Sequence, residues 1–116
     1  MFSFFKKKVV IPHVRLTGII GSAGKFKQGM DLAGQREILK KAFSYKKPKN
    51  VAISINSPGG SPVQSHLIYS YIRQLANKNK TNVIIFAEDV AASGGYLIAC
   101  AGNEIYANSS SIIGSI

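Results

Sequence analysis

Residues 83–98 read VIIFAEDVAASGGYLI, and the fold turns on how that stretch divides. Val83-Ile84-Ile85-Phe86 is a β-branched and aromatic run of the kind that forms a buried strand. Glu88-Asp89 marks its expected end, Ala91-Ala92-Ser93-Gly94-Gly95 forms a tight turn, and Tyr96–Ala101 reads as a short apolar helix. A serine at such a strand-to-helix bend presents its hydroxyl at a helix N-terminus, where the amide of the next residue, Gly94, is a spare donor. Donors placed in this way stabilise an oxyanion. The arrangement follows the logic of a nucleophile elbow, with Ala91 standing where G-x-S-x-G has its first glycine. The competing reading makes Ser93 an ordinary N-cap on a helix packed closely against a sheet.

Upstream, Val51-Ala52-Ile53-Ser54-Ile55 alternates as another strand and runs into Asn56-Ser57-Pro58-Gly59-Gly60-Ser61-Pro62. Two glycines after a strand let the backbone approach a ligand with its amides unobstructed. Ser61 is placed to cap a helix with Pro62 in its first turn. Leu67/Ile68, Tyr71/Ile72 and Leu75 then recur at helical spacing as far as Ala76, and residues 77–82 form the exit loop. Earlier still, Val14–Ile20 reads as a first strand, Gly21-Ser22-Ala23-Gly24 as a turn, and Asp31 as the cap of a helix ending near Ser44. Leu32, Ile38, Leu39, Ala42 and Phe43 are its expected inner face. Glu104–Ala107 adds a short strand. Strands alternating with helices imply an α/β fold with a mainly parallel sheet. Functional groups in such sheets sit at the carboxyl ends of the strands. Both Gly59-Gly60 and Ser93 fall there.

A chain of 116 residues supports one domain with one modest core. Its formal charge of +10 is lopsided. Residues 1–50 hold twelve Lys and Arg against Asp31 and Glu37, whereas Arg73, Lys78 and Lys80 balance Glu88, Asp89 and Glu104 in the remainder. The basic half suits an anionic surface such as lipid, or simply a solvated face. No zinc spacing or aromatic-interleaved basic strand points to a metal, a cofactor or nucleic acid. The lone Cys100 is expected as a small buried hydrophobe, and one cysteine forms no internal disulfide. Met1–Lys8 is aromatic and then basic, as a segment at a membrane interface would be, though a frayed terminus is the favoured reading. No run approaches the roughly 18–20 apolar residues of a bilayer span.

Three segments in series carry a resemblance: INSPGGSP at 55–62, EDVAASGGY at 88–96 and SSIIGSI at 110–116. Together they resemble the signal peptide peptidase A family of serine peptidases. The resemblance implies a Clp-protease-like (crotonase) fold of stacked ββα units, C-terminally incomplete in this chain. It covers the chain from Val14 onward and implies a partial peptidase domain over 14–116, preceded by the basic/aromatic segment over 1–13. It also implies homo-oligomers in the cytoplasm or peripheral at the cytoplasmic membrane, which cleave peptides, including signal-peptide remnants, with a Ser/Lys dyad. Carried over by position, Ser93 is the nucleophile, and Gly94 with the Gly59-Gly60 pair forms the oxyanion hole, Gly60 being favoured over Gly59. The family's general-base lysine lies downstream of the GSI motif, beyond Ile116. Lys78 and Lys80 belong at the opposite edge of the sheet, and His66 and His13 are weaker candidates. The missing base comes from a continuation of the chain, a complementing C-terminal portion or a second copy. The alternatives are a silent subunit-binding relic, a module for anionic membrane surfaces, and an acyl-CoA enzyme on the same fold.

Overall fold

The computed structural model describes residues 8–21 and 29–115. Residues 1–7 of the aromatic and basic terminus, and 22–24 of the glycine turn, lie outside them. The elements run β1 (His13–Thr17), α1 (Leu32–Ser44), β2 (Asn50–Ser57), α2 (Pro62–Asn79), β3 (Asn82–Ala92), α3 (Gly94–Ala99), β4 (Glu104–Ala107) and β5 (Ile112–Gly114). The strands form one sheet in the order β1-β2-β3-β4, with β5 also pairing β3. Every one of these pairings is parallel.

Local chemistry starts the two long helices where the sequence places them. The Asp31 carboxylate accepts from the Gly34 amide at 2.8 Å, and the Ser61 hydroxyl accepts from Gln64 at 3.2 Å, with Pro62 in the first turn. Leu39, Ala42 and Phe43 of α1 are buried, but Ile38 is half exposed. The buried face of α1 is narrower than the expected one. Helix α2 also runs past Ala76 to Asn79 before Lys80 turns left-handed at φ 53°. Side chains hold that extra turn: Arg73 donates to Asn77 at 2.9 Å, and Asn79 donates to the Leu75 carbonyl at 2.8 Å.

The larger correction concerns β3, which continues through Glu88-Asp89 to Ala92. Distant groups carry it across the charged pair. The β2–β3 register shifts between Ile55 and Ser57. At that irregularity the Asn56 side-chain oxygen accepts from the Val90 amide at 3.2 Å. The Ser111 hydroxyl donates to the Glu88 carbonyl at 2.6 Å, and β5 pairs with Val90–Ala92. Glu88 itself lies toward the open face of the sheet, where Arg15 Nη2 reaches both carboxylate oxygens at 2.8 and 3.0 Å. The strand over 112–114 is an element the sequence reading did not contain, and the first strand ends at Thr17 rather than Ile20.

The core lies between the sheet and the helices. Leu16, Phe43, Ile53, Ile55, Ile68, Ile72, Ile85 and Ile98 are fully buried there. Register places Arg15, Ser54, Phe86 and Tyr106 in one row across the other face. There Phe86 stacks on Tyr106 with ring centroids 5.7 Å apart, and the two remain 42% and 52% exposed. No helix among the described residues is long and apolar enough to cross a membrane.

Asn56→Ala removes the acceptor that bridges the register shift, so Val90 loses its side-chain partner. A loss of about 1–2 kcal/mol is expected in urea unfolding, with the far-ultraviolet spectrum unchanged.

Candidate active site

Ser93 sits at the end of β3 with φ 54° and ψ −122°. A non-glycine residue in that region carries roughly 1–3 kcal/mol of strain and is held there by its surroundings. Backbone bonds hold it on both sides: the Ser93 amide donates to the Gly114 carbonyl at 2.7 Å, and its carbonyl accepts from Leu97 at 3.1 Å. Its side chain makes no capping hydrogen bond to α3, and the residue is exposed. Ser93 is therefore not a side-chain N-cap in this conformation. The bend instead aims the hydroxyl outward.

The small residues around it are explained by close approach. A Cβ on Gly59, where φ is +106°, would lie 2.7 Å from Ser93 Cβ and 2.9 Å from the Gly94 nitrogen. Gly60 meets a different neighbour, since a Cβ there would lie 2.1 Å from the Ile20 carbonyl oxygen. Ile20 donates to the Gly59 carbonyl at 2.9 Å and accepts from the Ser61 amide at 2.8 Å. This bracket straddles Gly60 without using its N–H. Gly94, at the start of α3, precedes the first intrahelical donor. Among the described residues, neither the Gly60 nor the Gly94 amide is donated to a backbone carbonyl.

Ser93, Gly60 and Gly94 line one pocket of about 280 Å³, whose walls are completed by Pro62, Ser65, Tyr96, Leu97 and Cys100. Gly59 is buried and does not line it. Cys100 corrects the sequence expectation, because it is exposed. Helix α3 closes at Ala99, leaving Cys100 as its cap, beside the pocket and outside the core. Ser65 was missed from sequence altogether. It is fully buried, its hydroxyl donates to the Ser61 carbonyl at 2.7 Å, and it faces Gly94 so closely that a Cβ there would lie 2.2 Å from Ser65 Oγ. Its only sequence signal is a small polar residue one turn beyond Ser61.

No lysine or histidine among the described residues lines this pocket. Lys78 lies in the last turn of α2, about 24 Å along the axis from Pro62 at 1.5 Å per residue. His66 is exposed and stacks on Tyr69, with centroids 6.3 Å apart. His13 begins β1, at the amino end of the sheet, and its Nε2 lies 2.6 Å from the Ser54 hydroxyl. The described residues contain no cluster of His, Cys, Asp and Glu able to hold a metal. What the site offers is a strained, outward-facing serine, two undonated amides and a mostly apolar wall.

Residues 75–116 match the profile of peptidase family S49. The chain is related to the S49 peptidases. Protease 4 of Haemophilus influenzae is 36% identical over 109 residues, covering 94% of this chain and 17% of that protein. A protein of Brucella melitensis named as the Na(+)/H(+) antiporter NhaA is 57% identical over 107 residues, covering 91% of this chain and 14% of its own length. This chain therefore spans a small part of these relatives. Among solved structures, a membrane-bound stomatin-specific protease, 1510-N, superposes with a TM-score of 0.67 at 21% identity, covering 91% of this chain and 47% of that one. That likeness establishes the α/β fold as the one the S49 resemblance implies.

The close approaches make paired substitutions informative. Gly94→Ala is expected to cost about 1–3 kcal/mol by overpacking, and Ser65→Gly in the same chain should recover much of it, because the clash is with a side chain. Gly60→Ala meets the Ile20 backbone, so Ser65→Gly should leave its cost unchanged. Denaturant midpoints of the single and double variants test this coupling.

Proposed function

We propose that this chain carries the nucleophile and oxyanion side of an S49-type serine peptidase. Ser93 Oγ attacks the scissile carbonyl, and the Gly60 and Gly94 amides receive the negative charge that develops on its oxygen. Gly59 supports this hole from behind by permitting the close approach to Ser93. The observation that carries the reading is the Ser93 bend itself, a strained serine that does not cap its helix, sharing a pocket with both amides.

Serine at its ordinary pKa is a weak nucleophile and needs a base within hydrogen-bond reach. In this reading the base is a lysine from outside the described residues, contributed by a continuation of the chain, a complementary polypeptide or a second copy. The lysine takes the Ser93 proton as Oγ attacks and passes it to the amine half that leaves, giving an acyl-enzyme. Water, deprotonated by the same lysine, then displaces the acid half, and the serine regains its proton. Pro62, Tyr96, Leu97 and Cys100 give the pocket an apolar wall, which suits a peptide with an apolar side chain next to the cut bond. Signal-peptide remnants and other membrane-derived peptides have that character.

A fluorophosphonate probe applied to the protein as assembled in its native cell tests this reading. Labelling on Ser93, abolished by Ser93→Ala and retained in Cys100→Ala, is the expected result. No labelling of Ser93 in an assembly that hydrolyses peptides would refute the assignment.

A further inference from the structure

At the end of the sheet opposite Ser93, four lysines frame a second cavity. Lys8, Lys46, Lys47 and Lys49 line a space of about 400 Å³, together with Val9 and Val10. The fold brings them together by specific bonds. The Ala52 amide donates to the Pro12 carbonyl at 2.9 Å, which ties the leading segment to β2. Thr81 Oγ1 donates to the Pro48 carbonyl at 3.2 Å, and the Asn82 amide to the Lys49 carbonyl at 2.8 Å. Those two bonds fasten the lysine loop to the start of β3.

The cavity is electrically one-sided, with no acidic side chain lining it. The one ion pair among the described residues, Arg15 with Glu88, lies elsewhere, on the open face of the sheet. Lys46 and Lys47 both adopt left-handed backbone, at φ 52° and 48°, and the Lys46 ammonium sits 5.4 Å from the centre of the Tyr45 ring. Lysines around a cavity with no acidic neighbour give it a positive potential that favours an anion. Lysine serves such sites as a point charge for phosphate. Beside the lysines, Val9 is 82% and Ile11 48% exposed. Exposed aliphatic side chains next to lysines match the boundary between headgroups and acyl chains.

We propose that this cavity binds a phosphate group, either on the headgroup of an anionic lipid or as free phosphate. Lys46, Lys47 and Lys49 precede β2, whereas Gly59 and Gly60 follow it. Eight strand residues, about 26 Å at 3.3 Å each, therefore separate the phosphate from the Ser93 pocket. A protein held by its lysines would direct that pocket away from the anionic surface. The inference stands apart from the peptidase reading.

Sedimentation of the full chain with vesicles of phosphatidylglycerol and phosphatidylcholine, against phosphatidylcholine alone, measures it. The triple variant Lys46→Asn/Lys47→Asn/Lys49→Gln removes three charges while asparagine tolerates the left-handed backbone. Lys40→Gln/Lys41→Gln/Lys78→Gln removes as many charges outside the cavity. Binding to the anionic vesicles should fall about a hundredfold in the first variant and stay close to native in the second. Inorganic phosphate that competes, at ionic strength matched with chloride, identifies free phosphate as sufficient; phosphate that fails to compete identifies the headgroup on its surface. Either result supports the site. Equal losses in the two variants, native binding by the first, or no binding of phosphate or anionic vesicles by the native chain would overturn it.

Discussion

The structure depends on how closely two backbone segments approach at the carboxyl ends of β2 and β3. Gly59 lies where even a methyl group would strike Ser93, and Gly60 lies where one would strike the Ile20 carbonyl. Protein interiors are close-packed, so an added carbon at such a point is felt as displacement. The bend at Ser93, the start of α3 and the start of α2 are therefore packed directly against one another. Gly95 extends the same lock, since a Cβ there would lie 2.6 Å from the Ser57 carbonyl oxygen. The polar side chains nearby serve that geometry as well: Ser57 Oγ accepts from the Gly59 amide at 3.2 Å, and Asn56 spans the register shift next to it.

This constraint separates the molecule into two ends of different character. The carboxyl end of the sheet carries glycine, serine and an apolar wall around one pocket. The amino end carries lysines. The parallel topology enforces the separation, because every strand begins at one end and finishes at the other. The Gly60 and Gly94 amides are thereby kept at the end of the sheet away from the lysine loop. It also leaves the Ser93 pocket without a lysine or histidine among the described residues that line it.

Much of this was legible in the sequence wherever the signal is local. Asp31, Ser61 and Pro62 mark helix starts through bonds made within one turn, and all three act as expected. Alternation over residues 51–55 places the glycine pair at a strand end, and the β-branched and aromatic run over 83–86 does the same for Ser93. The misses share a physical cause, which is dependence on distant partners. Glu88-Asp89 reads as a strand break, yet Asn56, Ser111 and β5 carry the ladder through it. Ser65 looks like a surface helix residue until Gly94 is packed on it. Cys100 reads as core because its neighbours are apolar, but its environment is decided by where α3 closes. The last turn of α2 is polar in sequence and survives through the bonds of Arg73 and Asn79.

The open row of the sheet bears on how this polypeptide behaves at high concentration. All four residues of β4 are exposed, and its Tyr106, stacked on Phe86 of β3, is only partly covered. Strands and faces of this kind are templates for lateral growth between copies. Opposing it is a formal charge of +10, which keeps copies apart through mutual repulsion at low ionic strength. Salt shortens the reach of that repulsion to about 8–10 Å at physiological strength, and leaves the apolar attraction in place. Colloidal stability is thus set by a balance between the basic leading half of the chain and the apolar row of its later half.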